Sequence, residues 1–184
     1  MNIPNTITIL RILLVPVLVY FLLHGEYRAA ILVLVVAGIS DALDGFIARR
    51  FDIRTYLGSV LDPLADKILI IATVLTLALQ GLLPSWLTIV IVIRDLIIVI
   101  GAIAYYLRAG RIEMAPIITS KLNTFILVFL ILLVMATAAG ITRGAAWLPV
   151  LFGVAFLTAV ISGAHYILIW GQKGAALKKR IVSD

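Results

Sequence analysis

The sequence has no cysteine, only two histidines and few charged residues. Without cysteine, disulfides, thiolate metal ligands and thiol nucleophiles are all excluded. Charged residues make up 13% of the 184 residues and hydrophobic residues 64%, and the mean hydropathy is +1.21. A soluble domain has about a quarter charged residues, and a disordered chain has low hydrophobicity. The composition therefore predicts a membrane protein.

Six long apolar runs are separated by short connections that contain glycine or charged residues. A membrane-spanning helix needs about 20 mainly apolar residues, so each run predicts one span, and short connections make consecutive helices antiparallel neighbours. We expect a single all-α domain over residues 1–184, with an interfacial segment at 1–6, six transmembrane helices and a basic tail at 171–184. The predicted spans are Ile7–Leu23, Ala29–Ile47, Ser59–Leu79, Leu83–Tyr106, Pro116–Ala139 and Trp147–Trp170.

Lysine and arginine are distributed unevenly between the two ends of the predicted spans. The second, fourth and C-terminal connections contain nine of them, whereas the opposite side has only Arg28 and Arg143. The excess of positive charge predicts that both termini are cytoplasmic, and we expect a bacterial cytoplasmic membrane. The net charge of +6 is explained by this bias and by anionic lipid headgroups, so we expect no nucleic-acid partner.

Four of the nine acidic residues lie at the ends of the second and third predicted spans, between positions 41 and 66. Asp41 and Asp44 are three residues apart and Asp62 and Asp66 are four apart, so each pair shares one helix face. Charged side chains in a span normally face the bundle interior. Because the two helices are antiparallel, both pairs lie near the cytoplasmic surface, and we expect the four carboxylates to converge.

Four converging carboxylates repel one another in a low dielectric, so they stay ionised only beside cations. Oxygen ligands without histidine or cysteine suit two Mg²⁺ or Mn²⁺ ions, and Arg49 is placed to hold a substrate phosphate. The alternative is a set of structural ion pairs with Arg49, Arg54 and Lys67. A cation transporter is a second alternative, although transporter sites tend to lie at the bilayer midplane rather than at one edge.

The segment reads Asp41-x2-Asp44-Gly45-x2-Ala48-Arg49-x8-Gly58-x3-Asp62-x3-Asp66. This pattern resembles the signature of the CDP-alcohol phosphotransferase family, membrane enzymes of phospholipid synthesis, at every fixed position and gap. The opening Asn2-Ile3-Pro4-Asn5, with Thr8 and Arg11, is also similar. The resemblance implies a six-helix, homodimeric protein whose two-metal site opens to the cytoplasm.

The resemblance also implies a role for each residue of the motif. Asp41, Asp44, Asp62 and Asp66 would be the metal ligands, with Asp66 as the general base and Asp62 beside it in the catalytic centre. Asp44, Gly45, Ala48, Arg49 and Gly58 would bind the CDP-linked donor, CDP-diacylglycerol. Asp66 would take the proton of an acceptor hydroxyl, whose oxygen attacks phosphorus while CMP leaves.

An acceptor that carries a phosphate needs further polar or cationic residues. The candidates are Arg11, Arg94, Arg108, Arg111, Lys121 and Asn123. The pair Arg94-Asp95 is either part of this site or a structural ion pair, and Arg11 either reaches the interface or faces the interior. The segments Arg94-Asp95 and Ser120–Thr124 resemble the family branch whose acceptor is phosphatidylglycerol and whose product is cardiolipin. Glycerol 3-phosphate is the alternative acceptor.

Overall fold

The computed structural model describes residues 3–50, 56–109 and 118–183, with side chains over 10–41, 64–104, 118–143 and 146–170. Within these ranges the chain is helical and has no strand. The helices are α1 (Ile3–Leu23), α2 (Tyr27–Arg50), α3 (Tyr56–Leu79), α4 (Ser85–Ala109), α5 (Ile118–Ala138) and α6 (Leu148–Ser183), with a short 3-10 helix, Gly144–Trp147, before α6. Each predicted span thus corresponds to one helix, and the all-α prediction is confirmed. Helix α1 already begins within the predicted interfacial segment, and α6 continues through the predicted basic tail.

Three of the helices contain described segments that are long and apolar enough to cross a membrane. They are Ser85–Ala104, Ile118–Ala138 and Leu148–Trp170, while α1 has a shorter apolar segment, Leu10–Leu23. Large apolar side chains such as Leu79, Ile118 and Phe125 are more than two-thirds exposed, as expected of helices that face lipid. The chain is therefore an integral membrane protein, and six spans with cytoplasmic termini stay a prediction.

Glycine ends three of the helices in the same way. Gly25, Gly81 and Gly140 have φ values of 75°, 73° and 69°, a left-handed conformation that costs other residues steric strain. At Gly25, the N–H of Glu26 donates to the carbonyl of Phe21 and the N–H of Gly25 to that of Leu22. This hydrogen-bond pair caps the last carbonyls of α1, and the same pattern recurs after α3 and α5. The three glycines therefore fix the ends of these helices.

The chain folds into two compact units, and the first contains Met1–Pro84 and Ile131–Ala146. Within it, α1 packs against both α2 and α3. The alanines Ala30, Ala37 and Ala65 are fully buried, and small residues of this kind let helix backbones approach closely. The short connection predicted that α1 and α2 are neighbours, whereas the contact between α1 and α3 had no local sequence signal.

The second unit contains Ser85–Leu130 and Trp147–Asp184, and its main helix pair is α4 and α6. Gly101 on α4 lies directly against the indole ring of Trp170 on α6. A Cβ atom at position 101 would be 2.7 Å from the indole Nε1 and 2.8 Å from Cδ1 of Trp170. Such distances are shorter than van der Waals contact, so glycine is what allows the two helices to pack here.

We predict that Gly101→Ala lowers the melting temperature of the purified protein, because the added methyl group collides with Trp170. Gly153→Ala is the matched control, since no atom lies within 4 Å of a Cβ at that position. Alanine is favoured over glycine in a helix by about 1 kcal/mol, so this control should melt at the same temperature or higher. Equal melting temperatures for the two variants would contradict the close packing.

Candidate functional site

A buried arginine joins two of the four predicted carboxylates in the first unit. Arg11 on α1 is only 1% exposed, and its Nη1 donates to Oδ1 of Asp66 on α3 at 2.6 Å. Its Nη2 donates to Oδ1 of Asp41 on α2. Because both nitrogens belong to one rigid, planar guanidinium group, the two carboxylates lie within a few ångströms of each other. Two of the acidic residues predicted to converge are therefore brought together.

The two sides of this ion-paired group differ in their surroundings. The Arg11 side chain is 1% exposed, whereas those of Asp41 and Asp66 are each 43% exposed. Arg11 therefore holds each carboxylate from the buried side, and each acid keeps a surface open to its surroundings. The Nε of Arg11 is buried and has no hydrogen-bond partner among the described residues. The guanidinium therefore binds the two carboxylates through Nη1 and Nη2 alone.

The chemistry of these donors fits a hard divalent cation, because carboxylate oxygens are the ligands that Mg²⁺ and Mn²⁺ prefer. Over the described side chains, no group of three or more acidic, histidine or cysteine residues is assembled.

Asp44 and Asp62 lie outside the described side chains, so two of the four predicted ligands are described. The other predicted residues outside the described side chains are Gly45, Ala48, Arg49, Gly58, Arg108 and Arg111.

Arg11 has a different partner set from the one that the sequence suggested. The sequence analysis gave Arg11 as a candidate for binding the phosphate of the acceptor. As structural ion-pair partners of the aspartates it gave other residues, Arg49, Arg54 and Lys67. The described contacts place Arg11 in the interior, which was one of the two orientations expected. The signal was an arginine within an apolar run, since such residues face the bundle interior and pair with other charges. Its two particular partners have no local sequence signal.

A second buried arginine organises the other unit. Arg94 and Asp95 on α4 are 6% and 5% exposed, and Nη1 of Arg94 donates to Oδ1 of Asp95. Its Nη2 donates to Oγ of Ser120 on α5 at 2.7 Å and to Oγ of Ser162 on α6 at 2.8 Å. One guanidinium thus connects three helices, which supports the structural ion-pair interpretation of Arg94. Ser162 was not a predicted site residue, although a serine within an apolar span was the available signal.

The two remaining acceptor candidates on α5 have opposite environments. Asn123 is 3% exposed, and its Oδ1 accepts a hydrogen bond from the hydroxyl of Thr158 on α6 at 3.1 Å. Lys121 is exposed and lines an open cleft of about 450 Å³ together with Ser120, Thr124, Phe125 and Val128. The side-chain oxygen of Asn123 therefore contributes to helix packing, whereas Lys121 presents its charge to the cleft.

The structure defines a helical integral membrane protein with an arginine-bridged pair of carboxylates. Comparison with known protein families identifies the class further, because residues 1–167 match the model of the CDP-alcohol phosphatidyltransferase family. The chain belongs to this family, as the resemblance of its acidic motif implied. The match includes the motif, Arg11, Arg94 and Lys121, so the described site residues all lie within the family domain.

Individual relatives are similar over most of this chain. The cardiolipin synthase (CMP-forming) of Homo sapiens is 33% identical over 90% of the chain, which spans 60% of that protein's length. The probable phosphatidylglycerophosphate synthase of Mycobacterium tuberculosis is 34% identical over 90% of the chain and 80% of its own length. The cardiolipin synthase (CMP-forming) of Streptomyces coelicolor is 32% identical, with 85% and 74% covered. The relatives therefore include proteins named for two different products.

We predict that Arg11→Gln lowers the melting temperature in metal-free buffer by roughly 5 °C or more, because two charge-assisted hydrogen bonds are lost. Arg11→Lys keeps the charge but has a single nitrogen, so it should restore part of the difference. The matched control is Arg28→Gln, which removes an exposed arginine of the same unit. If Arg11→Gln and Arg28→Gln had the same melting temperature, the bridge formed by Arg11 would have no structural role.

Proposed function

We propose that this chain transfers the phosphatidyl group of CDP-diacylglycerol to phosphatidylglycerol, which forms cardiolipin and releases CMP. The observation that carries the proposal is the meeting of Asp41 and Asp66 on Arg11, within an acidic motif that the family resemblance makes catalytic. The relatives named cardiolipin synthase (CMP-forming) in Homo sapiens and Streptomyces coelicolor support this choice of acceptor.

Asp66 is the proposed general base. Its carboxylate is 43% exposed, and Arg11 fixes its Oδ1 from the buried side at 2.6 Å. A general base must reach the hydroxyl whose proton it takes, and a carboxylate held on one side and exposed on the other is suited to this. In the proposed step the O–H bond of the acceptor breaks and its proton passes to Asp66. The acceptor oxygen then bonds to the phosphorus of the phosphatidyl group, and CMP leaves with the electron pair.

The four aspartates, Asp41, Asp44, Asp62 and Asp66, are the proposed ligands of two Mg²⁺ or Mn²⁺ ions. Bound ions of this kind supply positive charge that stabilises the diphosphate of the donor during transfer. Asp44 and Arg49 would orient that diphosphate, while the small residues Gly45, Ala48 and Gly58 would leave room for the nucleotide. A homodimer in a bacterial cytoplasmic membrane, with the site facing the cytoplasm, stays part of the proposal.

Glycerol 3-phosphate is the second candidate acceptor, with phosphatidylglycerophosphate as its product. The relative in Mycobacterium tuberculosis that is named a probable phosphatidylglycerophosphate synthase favours this alternative, since the chain spans 80% of its length. In both cases the donor is CDP-diacylglycerol and the leaving group is CMP. Acceptor choice depends on a few contacts in one pocket, so the two candidates are separated by experiment.

We expect the purified protein to release CMP when CDP-diacylglycerol is offered with phosphatidylglycerol, and to form cardiolipin identified by mass. Glycerol 3-phosphate is offered separately in the same assay. Formation of phosphatidylglycerophosphate alone would replace the first acceptor with the second. Asp66→Asn should abolish both products because the amide cannot accept the proton, while binding of CDP-diacylglycerol is retained. Normal turnover by this variant would remove Asp66 from the role of base.

We expect the protein to bind Mn²⁺ directly, as measured by the loss of the free Mn²⁺ signal in electron paramagnetic resonance. Asp41→Asn should weaken this binding, because it removes an anionic oxygen ligand. Glu26→Gln is the matched control, since it removes an exposed acid of the same unit outside the site. Equal Mn²⁺ binding by all variants, or full activity after chelation of divalent ions, would contradict the metal site.

A further inference from the structure

The two oxygens of each carboxylate that Arg11 bridges are not equivalent. Nη1 of Arg11 donates to Oδ1 of Asp66 at 2.6 Å, and Nη2 donates to Oδ1 of Asp41. In both aspartates, one oxygen is thus turned toward a buried guanidinium, while the side chain as a whole is 43% exposed. Bidentate coordination of a metal ion needs both oxygens of a carboxylate to face that ion. The bridge therefore disfavours bidentate coordination by Asp41 and by Asp66.

Arg11 is bound in this position by the cost of leaving it. Its side chain is 1% exposed, and the hydrogen bonds that the structure describes for it are the two to the carboxylates. Its Nε is buried without a partner among the described residues. Removing the partners of a buried charge costs about 3–5 kcal/mol. We therefore expect the bridge to persist when a cation approaches the two aspartates from their exposed side.

The helix that carries Arg11 is also attached to α3 at its other end. Nε2 of Gln80 on α3 donates to the backbone carbonyl of Leu22 on α1, and Leu18 and Leu22 are fully buried. Leu22 lies eleven residues from Arg11, which is about 16 Å along the helix. Helix α1 is thus joined to α3 at two well-separated points. A movement of α1 that withdrew Arg11 from Asp66 would also have to break the contact at Gln80.

Divalent cations differ in how many carboxylate oxygens they need. Ca²⁺ takes about six to eight oxygen ligands, and bidentate carboxylates are a common way to supply them. Mg²⁺ takes about six ligands in a strict octahedron, keeps several waters and binds through one or two carboxylates. A pair of aspartates restricted to one oxygen each suits the second ion better than the first. The geometry around Arg11 thus bears on which cation is bound.

We propose that Arg11 makes the metal site selective for Mg²⁺ and Mn²⁺ over Ca²⁺, by restricting Asp41 and Asp66 to coordination through one oxygen each. The inference rests on the proposed function, in which both aspartates are metal ligands, and it deepens that function by naming a residue that sets metal specificity. Arg11 acts through the two carboxylates and does not contact the ion, so it is a positioning residue.

The test measures competition for Mn²⁺ bound to the purified full chain, with the free Mn²⁺ signal in electron paramagnetic resonance as the readout. Mg²⁺ and Ca²⁺ are added separately as competitors, and the ratio of their affinities is compared between proteins. Both ions carry the same charge, so the loss of one positive charge beside the site affects their affinities alike. The ratio therefore reports the coordination geometry and not the overall attraction for cations.

We expect the wild type to bind Mg²⁺ more tightly than Ca²⁺. Arg11→Gln should shift the ratio toward Ca²⁺ by about tenfold, which corresponds to about 1.4 kcal/mol. Arg28→Gln is the matched control, since it removes an exposed arginine of the same unit and should keep the ratio of the wild type. A lower melting temperature of Arg11→Gln with an unchanged ratio would show a structural role alone and overturn the proposal.

Arg11→Lys separates the charge of the arginine from its two-point contact. Lysine keeps the positive charge, but its single nitrogen does not reproduce the planar, two-pronged guanidinium. We expect a ratio between those of the wild type and Arg11→Gln. A ratio equal to that of the wild type would attribute the selectivity to charge and overturn the proposal. A wild type that binds Ca²⁺ as tightly as Mg²⁺ would overturn it without any variant.

The role of Arg11 and the proposed function fail separately. Cardiolipin formation and Mn²⁺ binding by the wild type, with the same ratio in Arg11→Gln, would overturn the role of Arg11 and leave the function standing. Absence of cardiolipin formation would contradict the proposed acceptor, while a shifted ratio in Arg11→Gln would still support the role of Arg11. Absence of Mn²⁺ binding by the wild type would overturn both the metal site and the selectivity.

Discussion

The arrangement of the first unit depends on the balance of charge among helices that are otherwise apolar. An ionised side chain removed from water is costly unless an opposite charge lies beside it. Arg11 is buried and can be accommodated only because Asp41 and Asp66 accept hydrogen bonds from its two outer nitrogens. The same contacts hold the two carboxylates at one place. The stability of this unit and the geometry of its proposed site therefore share one interaction.

The two units treat a buried guanidinium in different ways. Arg11 contacts two half-exposed carboxylates from two other helices, so its positive charge lies beside an accessible surface. Arg94 contacts the buried carboxylate of its own neighbour and two serine hydroxyls, so its charge is balanced within the interior. The first arrangement suits a site that receives further charge, and the second suits a fixed framework. Similar residues within similar helices thus serve different purposes.

Most of the helical framework follows from local sequence, whereas the contacts between helices do not. The apolar runs predicted all six helices, and glycines such as Gly25 and Gly81 predicted where helices end, because both signals are local. The spacing of Asp41 and Asp66 within their motif predicted convergence, which the described contacts support for these two residues. The contact of α1 with α3 had no local signal, since the choice of helix partner depends on side chains far apart in the chain. Ser162 was missed because a serine within an apolar span does not identify its partner, Arg94, which lies 68 residues earlier in the chain.

The adjacency of Arg94 and Asp95 has a consequence for biosynthesis. These two residues are consecutive, so α4 carries its counter-charge from the moment it leaves the ribosome, and it can enter the bilayer as a nearly neutral segment. Arg11 precedes Asp66 by 55 residues, so its second partner is translated long after α1 emerges. During that interval Arg11 lacks one of its two carboxylate partners. The complete set of contacts of α1 therefore forms only after α3 has been synthesised.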